Sequence, residues 1–76
     1  MNKTRRAQIQ RIIDEIGCLQ QDIEELQDEE QDYMDNMPEN LQQSDRYYTA
    51  EEAVSNLSSA VDSIADAVSY LESAME

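Results

Sequence analysis

The chain has 76 residues, 18 acidic against 5 basic, and a formal net charge of −13 with no histidine. That length allows one domain. The charge disfavours bare nucleic acid and anionic membranes as direct partners and favours basic protein surfaces, and one cysteine excludes an internal disulfide. With one Gly, one Pro, no Trp and no Phe, the composition leaves few turns and favours long helices rich in Glu, Gln, Ala, Leu and Ile.

The opening residues Met1 to Arg6 are basic, but no apolar stretch follows them, so no signal peptide is expected. A seven-residue apolar repeat then begins. One seam position holds Ile9, Ile16 and Ile23, and the other holds Ile12, Leu19, Leu26 and Tyr33. Spacings that alternate three and four produce knobs-into-holes packing. Ile13 and Met34 widen the stripe, and Glu30 interrupts it. The first helix is expected from about Lys3 to Asn36. Gly17 weakens it by up to about 1 kcal/mol relative to alanine. Cys18 falls beside the seam as a partly exposed, unreactive thiol.

Pro38 should end this helix, because proline disfavours the α region in the residue before it. Residues 37–48 are expected to be the connector, with a short helical turn after Pro38. Leu41, Tyr47 and Tyr48 are expected to close the end of the core. Thr49 and Glu52 read as a capping box that starts the second helix, from about Ala50 to Met75. Its seam is Val54, Leu57, Val61, Ile64, Val68, Leu71 and Met75, flanked by Ala53, Ala60, Ala67 and Ala74 at seven-residue intervals. The expected fold is all-α: a single domain forming an antiparallel, coiled-coil-like two-helix hairpin that dimerises into a four-helix bundle. The core and dimer face is expected from Ile9, Ile16, Ile23, Leu26, Leu57, Ala60, Ile64, Ala67 and Leu71.

The charges are segregated. Lys3, Arg5, Arg6 and Arg11 stand without an acid among residues 3–11, whereas residues 22–35 carry eight acids and no base. This opposes the helix macrodipole, at a few tenths of a kcal/mol to about 1 kcal/mol per charge. A hairpin relieves it at one end by placing Glu72 and Glu76 near the basic start. The other end becomes an acidic pole, with Asp22, Glu24, Glu25, Asp28, Glu29, Asp32, Asp35 and Glu39 as candidate partner-binding residues.

Catalytic chemistry is sparse. Histidine is missing, the only lysine lies near the terminus, and no glycine-rich phosphate loop is present. The acidic stretch lacks the spacing and central glycine of a calcium loop. No enzyme activity, cofactor or metal site is therefore expected. The segment Asp35 to Gln42, followed by Ser44, Tyr47 and an Ala- and Glu-rich second helix, resembles small acidic helical-hairpin proteins of phages and integrative elements of Gram-positive bacteria. Its most specific part is the connector Asn36-Met37-Pro38-Glu39-Asn40-Leu41. The resemblance implies a mobile genetic context and a bacterial or infected-host cytoplasm, and it brings no catalytic residue. The expected role is binding, with inhibition by charge mimicry, of a basic nucleic-acid-binding host or defence protein by a homodimer that touches neither nucleic acid nor membrane directly. The alternative is a structural or oligomerisation adaptor whose acidity only keeps it soluble.

Overall fold

A computed structural model describes residues 1–76 as two long helices and a short 3₁₀ turn: α1 over Lys3–Asp35, the turn over Glu39–Leu41, and α2 over Asp45–Ala74. The helices pack against each other and no strand is present. The result is a hairpin of 59 × 15 × 12 Å, whose long dimension follows from the roughly 50 Å that 33 residues cover at 1.5 Å each.

Each boundary has a local cause. Asn2 opens α1 by accepting a hydrogen bond from the Arg5 N–H at 2.8 Å, which satisfies one of the donors a helix start leaves free. At the other end, the Asn36 N–H donates to the Asp32 carbonyl at 2.9 Å and the Met37 N–H to the Met34 carbonyl at 3.1 Å, and Pro38 then halts the helix as its position predicts. The reversal from Asn36 to Ser44 uses no cis peptide and no residue with positive φ, so the bend needs no glycine. Pro38 caps the 3₁₀ turn, whose Leu41 N–H donates to the Pro38 carbonyl at 2.8 Å.

The second helix starts earlier than the sequence suggests. It begins at Asp45, with Ser44 as its cap, so the connector does not extend to residue 48 and Ala50 is not its beginning. The Ser44 hydroxyl accepts from the Tyr47 N–H at 3.4 Å and donates to the Leu41 carbonyl. Thr49 and Glu52 therefore lie inside α2 and form no capping box. A serine already engaged with the preceding turn supplies the nucleus one turn upstream, and Thr49 has no free helix start left to cap.

The inter-helix seam is also shifted. On α1 the residues shielded from solvent are Ile9, Ile13, Ile16, Gln20, Ile23, Gln27, Glu30 and Met34, and Met37 joins them just past its end. On α2 they include Tyr47, Ala50, Val54, Leu57, Val61, Ile64, Val68 and Leu71, with Met75 at its C-cap. From Val54 to Met75 the α2 seam matches the expected one, and Tyr47 and Ala50 extend it toward the bend. On α1, Ile9, Ile16 and Ile23 take their expected place, but the second column is 13/20/27/34. The column Ile12, Leu19, Leu26 and Tyr33 faces outward instead, at 39, 59, 54 and 47% exposure. Only Met34, Met37 and Ala50 are buried, and all three close the core at the bend. Leu41 and Tyr48, expected to share that task, are exposed.

Candidate functional site

The bend is where the chain concentrates its charge. Because α1 must end at Pro38 and Ser44 must start α2, the acidic C-terminal third of α1 stands beside the acidic first turns of α2. Asp22, Glu24, Glu25, Asp28, Glu29, Asp32, Asp35 and Glu39 are all exposed, as are Asp45, Glu51 and Glu52. Glu30 alone among the α1 acids is half-buried, since it continues the Ile9–Ile16–Ile23 column into the seam. Asp35 accepts a hydrogen bond from the Gln31 side-chain amide at 3.0 Å, a neutral donor that leaves the carboxylate's charge in place. Arg46 is the one base at this end of the hairpin. It lines a shallow cleft with Glu30, Tyr33, Asp45, Thr49 and Ala50.

The opposite end behaves differently. Arg6 Nε donates to the Met75 carbonyl at 3.0 Å, which supplies a partner to a carbonyl at the end of α2 and places a cation at the negative end of that helix. The basic start of α1 is thus partly spent inside the molecule, whereas the acidic bend is not. Within a single hairpin the electrostatic result is a rod with one unneutralised pole.

Tyr33 and Tyr48 are exposed near this pole. The rings of Tyr47 and Tyr48 meet edge to face, with centroids 6.0 Å apart and planes at 80°. The Tyr48 ring lies on the surface against Tyr47, where its apolar face and hydroxyl are both available to a partner. A smaller cavity of about 240 Å³ lies under the connector, lined by Tyr33, Asn36, Met37, Pro38, Leu41 and Arg46.

The residues expected to form the core and dimer face divide into two groups. Ile9, Ile16, Ile23, Leu57, Ile64 and Leu71 are half-buried in the hairpin seam, and Ala60 is half-buried at its edge. Leu26 and Ala67 are exposed. Gln20 and Gln27, which the sequence reading passed over, occupy seam positions. Their signal is the four-three spacing from Ile13 through Ile16 and Ile23 to Met34, which polar side chains obscure.

Cys18 is exposed. A Cβ built on Gly17 would meet nothing within 4 Å, so no close helix contact within the hairpin requires that glycine. No group of three acidic, cysteine or histidine side chains is arranged to hold a metal ion. No helix is long and apolar enough to cross a membrane. The chain matches no protein-family model, and neither a curated protein nor a solved structure is significantly similar to it.

Proposed function

We propose that this chain is a non-enzymatic interaction protein that self-associates as a homodimer and uses its acidic bend to bind, and thereby inhibit, a basic nucleic-acid-binding protein by charge mimicry. The setting that fits this reading is a mobile genetic element acting on a host or defence protein in a bacterial cytoplasm.

One observation carries the proposal. Residues 22–35 hold eight carboxylates and no base, and all but Glu30 are exposed on one continuous helix. Over about 20 Å of helix axis this is one negative charge per roughly 2.5 Å, against one per about 1.7 Å along duplex DNA. Such a surface presents closely spaced anions on a helical support. A basic groove built for phosphates would meet a similar field.

The test is competition. A captured partner should be released by duplex DNA and by raised salt. The variant Glu24→Gln, Glu25→Gln, Asp28→Asn, Glu29→Gln, Asp32→Asn should fail to capture it while keeping its helix content. Capture that persists in that variant, or that ignores both salt and DNA, would rule the mechanism out.

A second reading is favoured by the outward apolar column of α1. In it the chain is a structural adaptor and its charge serves only solubility. Partner binding would then be insensitive to salt and lost in Ala67→Glu, which places a charge on an exposed position beside the α2 seam.

A further inference from the structure

We infer that the face of the hairpin bearing Ile12, Leu19, Leu26 and Tyr33 seats a second copy of this chain, with the two α1 helices packed antiparallel and centred on Leu19. The inference rests on the self-association proposed above and assigns it a face, an orientation and a register.

The first argument is one of placement. The hairpin turns the column with Gln20 and Gln27 inward and leaves the uninterrupted apolar column outside. Ile9, Ile16 and Ile23 adjoin both columns, so α1 carries two overlapping seams and α2 covers only one. On α2, Ala67 and Ala74 are exposed at the same seven-residue spacing. Their column is displaced from its seam in the same rotational sense as the Leu19 column is from its own. A two-fold axis perpendicular to the plane of the hairpin interchanges antiparallel helices without changing side. The large column of α1 and the small column of α2 therefore lie on one face, which pairs a ridge with a shallow trough.

The second argument is one of area. The chain exposes 5800 Å². A compact monomer of 8.8 kDa exposes about 4,800 Å². The excess of about 1,000 Å² is comparable with the roughly 800 Å² that each partner contributes to a stable interface. A partner along one full face of the rod removes it.

Charge selects the occupant and its direction. Centred on Leu19, antiparallel pairing sets Ile12 against Leu26 of the copy and Arg5 against its Tyr33. Residues 3–11, which hold four bases and no acid, then lie alongside residues 27–35, which hold five acids and no base. Parallel pairing would instead set each acidic stretch on its twin. In the antiparallel arrangement the two acidic stretches are centred near residue 28, nine residues to either side of Leu19. They are separated by about 27 Å, nearly three times the roughly 10 Å screening length at 0.1 M salt. A helix whose two halves are oppositely charged is complementary to its own reverse.

Cysteine cross-linking in a Cys18→Ser background tests the orientation. Under mild oxidation Leu19→Cys should link to itself. Ile12→Cys and Leu26→Cys should each stay unlinked alone and should link to each other when mixed. Self-linking of Ile12→Cys and of Leu26→Cys would show parallel pairing and overturn the inference. Leu19→Glu provides the control for folding, because Leu19 is exposed in the isolated hairpin. It should keep the helical circular dichroism of the parent and sediment at half the parent's mass. A parent that sediments at 8.8 kDa at micromolar concentration, or a Leu19→Glu variant that sediments as the parent does, would equally overturn it. None of these readouts depends on the acidic pole's capturing a basic protein, so the two proposals fail separately.

Discussion

Replacing Gly17 with alanine should stabilise the protein, and the structure sets the size of the effect. Gly17 lies well inside α1, fourteen residues beyond Lys3, so fraying does not dilute its contribution. Its φ is not positive, and a methyl group at its Cβ meets open space. No strain or clash therefore offsets the intrinsic preference of a helix for alanine over glycine, about 0.8–1.0 kcal/mol. At about 2.1 cal/mol/K of unfolding entropy per residue, 76 residues convert 1 kcal/mol into a rise in Tm of about 6 °C. Thermal denaturation followed by circular dichroism at a fixed protein concentration measures it. Fixing the concentration matters because self-association makes Tm depend on it. Gly17 is two residues from Leu19, hence about 160° around the helix from it, and a second copy on the Leu19 face leaves Gly17 uncovered. A Tm unchanged or lowered by Gly17→Ala would refute this reasoning, because it would mean that something packs against the glycine on the side the hairpin leaves bare.

Ser44→Ala should lower stability by about 1 kcal/mol through loss of the cap, whereas Thr49→Ala should stay within about 0.5 kcal/mol of the parent. Denaturant melts of the pair separate the two candidate starts of α2, and a larger loss for Thr49→Ala would favour the downstream one. Gln20→Leu combined with Gln27→Leu should raise stability by about 1 kcal/mol per site, roughly half the value of a fully buried leucine. If those glutamines faced solvent and the Leu19 column faced α2, the double variant would show no gain in a urea titration.

The hairpin was legible in the sequence because two strong signals agree: a three-four apolar repeat on each side of a single proline. The α2 seam was read in place from Val54 to Met75, since each of those positions is apolar, and Tyr47 and Ala50 extend it toward the bend. The α1 seam was read one column off for a physical reason. Two columns of α1 that flank Ile9, Ile16 and Ile23 are apolar at their ends, and the one turned inward carries Gln20 and Gln27 at its centre. A rule that puts apolar residues inside selects the other column, and here that column belongs on the outside of the hairpin. The start of α2 was missed because Thr49 with Glu52 matches a capping pattern that Ser44 with Tyr47 does not. Hydrogen bonding from Ser44 back to the 3₁₀ turn is a tertiary detail that no local pattern encodes. The acidic pole follows from charge segregation plus the reversal. The exposure of its carboxylates follows from their lying off the seam, and Glu30 is the one whose spacing from Ile23 pointed inward.

The bond from Arg6 to the Met75 carbonyl has a practical corollary. It ties both termini to the same tip of the rod, so any tag, tether or fused domain joined at either end emerges there. The bend lies at the far tip, about 50 Å away by the length of α1. Immobilisation through a terminus would therefore present every molecule tip-outward to the solution, and a short flexible linker joining Glu76 to Met1 would yield a circular chain without disturbing the opposite tip.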